Sequence, residues 1–130
     1  YFLDPVPPDA LLPVTASADA GITLLEDTCL NHRFALPNKL FEYLVAGLPV
    51  LASDLPEMRR IVDGFNVGLV VNPANREALV KALQRMVDAT EDRARWAAAA
   101  PRVFETFSWE DASQRLEAVY QDLLNLSPLL

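Results

Sequence analysis

Lys39 and Glu42 stand three residues apart in "LPNKLFEYLVAG", from Leu36 to Gly47. Leu40, Phe41, Leu44 and Val45 surround them, a composition suited to packing. Charges in such a run need partners, because a desolvated carboxylate without them is costly. A helix opening at Pro37 puts Asn38 and Lys39 in its first turn. Unpaired N–H groups already make that end positive, and a lysine there costs about 0.3–1 kcal/mol when nothing answers it. An anion reverses the sign, since amides and ammonium then converge on a phosphate or diphosphate. Glu42 lies one turn further in, and a carboxylate accepts two hydroxyls, which suits the diol of a ribose. The plain alternatives are a lysine that swings into water and a Lys39–Glu42 pair at i, i+3. Such a pair is worth about 0.2–0.5 kcal/mol.

The elements that must hold these groups can be read from pattern. Pro8 opens a helix, Asp9 favours its positive end, and Pro13 kinks or shortens it. "AGITLLE" (Ala20–Glu26) reads as a strand, and "DTCLNHRFA" reads as a loop. The helix from Pro37 to Ala46 ends at Gly47, and "PVLAS" (Pro49–Ser53) is a short buried strand. Asp54 and Glu57 fit a capping box for a helix through about Val62, and "GLVV" (Gly68–Val71) is a strand. Asn75 caps a long helix with Leu79, Leu83, Met86 and Val87 on one face. A further helix breaks near Pro101. Ser108 with Asp111 caps the last one, whose inner stripe is Ala112, Leu116, Val119, Tyr120 and Leu123. "YFL" (Tyr1–Leu3) reads as the end of one more strand. Short apolar strands alternating with helices predict an α/β fold, a parallel sheet covered on both faces. In such sheets ligands sit beyond the carboxyl ends of the strands, where the Leu36–Glu42 stretch falls.

The chain has 130 residues, 52% hydrophobic and 22% charged, which predicts one globular domain. Its net charge of −7 argues against nucleic acid as a partner, which needs a basic face. A small anion held at one local positive site remains compatible with that charge. One cysteine, Cys29, rules out an internal disulfide and favours a reducing compartment. No apolar run reaches the length of a membrane span. Cys29 has no cluster of ligands around it, so no metal is expected, and it reads as a semi-buried filler. His32, the only histidine, reads as a loop residue or a sugar contact. Trp96 and Trp109 read as packing. Gly21, Gly47, Gly64 and Gly68 are scattered, so no glycine-rich phosphate loop exists.

The segment "FALPNKLFEYLVAGLPVLASDLPEMRRIV" strongly resembles the donor-binding segment of retaining, group 1 glycosyltransferases of the GT-B type. Pro-Asn-Lys-Leu-Phe-Glu-Tyr, then Ala-Gly-Leu-Pro-Val, then Ser-Asp-Leu-Pro-Glu carry the likeness. "VGLVVNPANREAL" and "FSWEDASQRLEAVY" extend it over most of the chain. The resemblance implies a Rossmann-like, three-layer parallel sheet flanked by helices, part of the C-terminal half of such an enzyme. It implies transfer of a sugar from a UDP- or GDP-sugar donor to an acceptor, without a metal or other cofactor. Glu42 would bind the ribose hydroxyls. Asn38, Lys39 and Leu40 would lie against the diphosphate, with Lys39 stabilising the leaving charge. Glu26, at the strand end, would contact base or sugar. The setting implied is cytoplasmic, with peripheral membrane association of the full enzyme, in polysaccharide or glycoconjugate synthesis.

Two departures stand out. Many relatives carry a second glutamate eight positions before the first, facing the sugar. Phe34 holds that place here and accepts no hydrogen bond; Asn31, His32 and Arg33 are neighbours able to substitute. The resemblance also leaves no counterpart here for the family's acceptor-binding N-terminal domain, so residues 1–130 are expected to form a single truncated nucleotide-sugar-binding domain, inactive alone. The last helix would cross back to that missing domain. The resemblance further predicts a bare sheet edge at Ile22–Leu25, and hence re-paired strands or association with a second copy. The rival reading is a non-catalytic nucleotide-binding or oligomerisation module, favoured by Phe34. A receiver-like signalling domain would need an acidic cluster and a phosphoacceptor aspartate at the strand ends, which are lacking.

Overall fold

The computed structural model describes residues 4–126. The strand expected at Tyr1–Leu3 lies outside the described residues. Three strands, β1 (Gly21–Thr23), β2 (Val50–Ser53) and β3 (Gly68–Val71), form a parallel sheet in the order β1-β2-β3. Gly21 pairs with Val50 and Thr23 with Ala52, and Val50 in turn pairs with Gly68. Every residue of β2 is buried. A strand covered on both faces must be apolar throughout, and β2 is so apart from Ser53.

Helices cover the two faces. On one side lie α3 (Asn38–Val45), α4 (Pro56–Phe65) and α7 (Pro101–Phe104). Their Leu40, Leu44, Met58, Ile61, Val62 and Val103 form a core with Val50 and Ala52. On the other side lie α5 (Arg76–Asp88) and α6 (Thr90–Ala99). There Leu51 and Val71 meet Met86 and Trp96, and Trp96 is 2% exposed. The arrangement is the expected α/β sandwich of three layers. A first helix, α1 (Pro8–Thr15), packs on α3 and contributes no buried residue. Pro13 is accommodated near the end of this short helix, three residues after Ala10, whose amide already bonds Pro7.

Asn75 caps α5 as expected, its side chain accepting the Ala78 amide at 3.1 Å. Gly47 takes a positive φ of 74° after α3, the conformation its sequence position predicts. Ser108 accepts the Asp111 amide at 3.1 Å, but the Asp111 carboxylate turns to Arg115 at 2.7 Å, so only half of that capping box forms.

Several expectations are corrected. Asp54 and Glu57 do not cap α4: Leu55 is its N-cap and Pro56 sets the start. Asp54, just before the helix, pairs with Arg59 of α4, and Glu57 pairs with Arg60 one turn along the same helix at 2.8 Å. Asp54 holds the Arg59 guanidinium above its ordinary pKa through their hydrogen bond. The expected loop before α3 contains one helical turn, α2 (Leu30–Arg33), braced by Arg33–Asp27 at 3.0 Å. Cys29 is exposed rather than semi-buried. Trp109 is 74% exposed rather than packed. The stripe of α8 (Trp109–Leu126) also faces solvent: Leu116, Val119, Tyr120 and Leu123 are exposed, since no other described element reaches that face. Periodicity defines an apolar face but supplies no partner for it.

The outer edge of β1 pairs with no other strand among the described residues. Ile22 is 46% exposed there. Leu83 and Val87 of α5 share their helix face with buried Met86, yet they remain exposed beside this edge and line an apolar hollow of about 490 Å³.

Candidate donor-binding site

The site is set by how α3 is seated on the sheet. A Cβ built at Gly21 would fall inside the Tyr43 ring. The missing side chain therefore lets α3 approach the start of β1 closely. The Tyr43 hydroxyl then donates to the Ile22 carbonyl at 3.3 Å. Leu40 and Leu44, neighbouring Tyr43 on the same side of the helix, anchor it in the core, at 0% and 1% exposure. With the helix so fixed, its first turn lies beside the carboxyl end of β1.

Pro37 is the N-cap and makes no side-chain capping bond. The Leu40 amide donates to the Pro37 carbonyl at 3.0 Å. Among the described residues, the amides of Asn38 and Lys39 reach no backbone acceptor. No acidic residue occupies this first turn. Lys39 is exposed and forms no ion pair among the described residues. Asn38 and Lys39 border a cavity of about 420 Å³, closed on the far side by Thr23, Leu24 and Leu25. The local charge is thus positive, in a chain of net charge −7.

Glu42 is half-buried and also has no ion-pair partner among the described residues. The Lys39–Glu42 pair weighed from the sequence does not form. Glu42 lines a second groove, again about 420 Å³, together with Asn38 and with Pro8, Leu11 and Leu12 of α1. Asn38 borders both hollows, which lie on either side of it at the start of α3. Leu40 contributes a buried side chain that supports this turn from beneath.

Glu26 and Phe34 border neither hollow. Glu26 is exposed in the segment after β1, and its carbonyl accepts the Thr28 amide at 2.9 Å. His32 Nδ1 lies 3.1 Å from the same carbonyl and 3.0 Å from Thr28 Oγ1. Phe34 follows α2 and is 58% exposed. The contribution of α1 was not legible in the sequence, because local pattern marks a helix there but does not say which element it packs on. The one available signal for the seating of α3 was Gly21 at the head of an apolar strand, where a glycine marks close approach.

The chain matches the family model described as glycosyl transferases group 1 over residues 16–103. It is similar to D-inositol 3-phosphate glycosyltransferase of Corynebacterium glutamicum (strain R), 30% identical over 95% of this chain and 28% of that protein. It is similar to the protein of the same name from Rhodococcus jostii (strain RHA1), 32% identical over 92% of this chain and 25% of that one. Phosphatidyl-myo-inositol mannosyltransferase of Mycobacterium leprae (strain TN) is 32% identical over 63% of this chain and 22% of its own length. The chain therefore spans less than a third of these relatives. The matched residues run from the end of α1 to α7 and include the whole seating of α3 on the sheet, so the chain belongs to the group 1 glycosyltransferases.

Proposed function

We propose that this chain supplies the donor side of a glycosyltransferase that takes a nucleoside diphosphate sugar. The diphosphate is held by the amides of Asn38 and Lys39 and by the Lys39 ammonium. The ribose diol is held by Glu42, and the base lies along α1 against Pro8, Leu11 and Leu12. As the bond from the anomeric carbon to the phosphate oxygen breaks, negative charge grows on the diphosphate. Lys39 and the helix end stabilise that charge more in the transition state than before it, which is what accelerates the step. The acceptor is supplied by a separate N-terminal domain of the full protein. Glu26 and Phe34 lie on the sugar side, where Phe34 offers a ring face and no acceptor for a sugar hydroxyl.

What carries the reading is the first turn of α3. Among the described residues it combines two amides lacking backbone acceptors, an exposed ammonium and no acid, one turn from a half-buried carboxylate without an ion-pair partner. A helix end so arranged is unfavourable until an anion fills it. Calorimetric titration of the chain with UDP, GDP and their sugars tests it. Binding of one nucleotide is expected, weakened about tenfold in Glu42→Ala, because a charge-assisted hydrogen bond is worth roughly 1.5–3 kcal/mol. Equal affinity in Glu42→Ala removes the ribose assignment, and absence of nucleotide binding removes the donor site.

A further inference from the structure

Ser53 closes β2, and its side chain is fully buried. The last backbone partners of β1 and β2 are Thr23 and Ala52. Past them a side chain takes over. The Ser53 hydroxyl donates to the Leu25 carbonyl at 2.7 Å and accepts the Leu25 amide at 2.6 Å. One hydroxyl thus satisfies both backbone groups of Leu25. Ser53 itself is held on its other side, paired with Val71 of β3, and its carbonyl accepts the Leu55 amide at 2.8 Å. The segment after β1 is therefore tied to the fixed middle strand by one side chain. Leu24 and Leu25 of that segment are the wall facing Asn38 and Lys39 across the cavity, and Glu26 follows them.

We infer that Ser53 is a positioning residue for the donor site, setting the distance between the Leu24–Leu25 wall and the first turn of α3. The inference rests on the donor-site reading above. Ser53 touches no ligand in this scheme. Removing its hydroxyl strands a donor and an acceptor of the half-buried Leu25 at once, each costly to the extent that it is shielded from water. The wall must then shift to find new partners, and the width of the anion cavity shifts with it.

The test uses the chain carrying Ser53→Ala, Ser53→Thr or Val103→Ala. Val103 is a buried core residue that lines neither hollow, so its truncation lowers stability without removing a group from the cavity walls. UDP and GDP affinities are read by NMR titration, and exchange of the Leu25 amide is read alongside. In Ser53→Ala the Leu25 amide is expected to exchange at least about tenfold faster as its bond is lost. Nucleotide affinity is expected to fall by about threefold or more, the equivalent of one ordinary hydrogen bond at the low end. Ser53→Thr, which keeps the hydroxyl, restores affinity, and Val103→Ala leaves it unchanged despite a lower melting temperature. Unchanged affinity in Ser53→Ala overturns the inference, and so does an equal loss in Val103→Ala. Failure of the unaltered chain to bind either nucleotide overturns the donor reading and this inference with it. Undiminished affinity in Ser53→Ala, with the unaltered chain binding nucleotide, overturns this inference alone.

Discussion

Gly21→Ala is the sharpest probe of how the site is held. The new methyl group would occupy the space of the Tyr43 ring, and contacts this short are not tolerated. Either the ring leaves its seat or α3 lifts from β1. Overpacking of this kind costs about 1–3 kcal/mol. Loss of the hydrogen bond from Tyr43 to the Ile22 carbonyl, long at 3.3 Å, adds at most about 1 kcal/mol. The alanine returns about 0.4–1 kcal/mol by restricting the unfolded chain. The net loss is about 1–3 kcal/mol, which for a domain of this size lowers the melting temperature by roughly 3–12 °C. Thermal melts followed by circular dichroism measure it. In a double-mutant cycle with Tyr43→Ala the contacts to the ring atoms go and only that to the Tyr43 Cβ, at 2.6 Å, is left, so the two losses are expected to be less than additive. A Gly21→Ala variant that melts with the unaltered protein refutes the argument. So does a cycle in which the two losses simply add.

Other outcomes follow from the same structure. Lys39→Glu is expected to raise stability by about 0.3–1 kcal/mol, since an acid suits a helix N-terminus, while abolishing nucleotide binding; melts and calorimetry on one sample check both signs. Asn75→Ala removes the cap of α5 and is expected to cost about 1 kcal/mol, read from urea unfolding. Hydrogen bonding from Arg85, followed by Arg95, holds the Asp92 carboxyl below its ordinary pKa. A depressed carboxylate stabilises the fold above its unfolded pKa, and that contribution fades as pH falls through the lower folded value. Asp92→Asn is therefore expected to flatten the acid limb of the stability curve below about pH 4, with little change in its shape above pH 5. An unaltered acid limb, measured by melts across that range, contradicts it.

The helices and strands nearest the site were legible because local chemistry fixes them. Gly47 ends α3 by its freedom at positive φ, Asn75 caps α5, and the apolar run of β2 marks a strand buried on both faces. Capping at Asp54 was misread because a carboxylate in that place has two uses, and the choice went to Arg59. The turn at Leu30–Arg33 was missed because four residues carry no measurable period. The stripe on α8 was legible as a pattern and wrong as a burial, since a pattern does not name what covers it.

The residue types in "PNKLFEYLVAG" marked out the candidate site by themselves: a cation where a helix is already positive, and an acid one turn along without an obvious mate. The hydrophobic alternation determined the layered α/β class in the same way. Only tertiary structure decided that Gly21 makes room for Tyr43, and that α1 walls the groove beside Glu42. Only tertiary structure put Ser53 on Leu25, two residues 28 positions apart. Contacts of that kind depend on where separate elements meet in space, and neither period nor propensity carries that information.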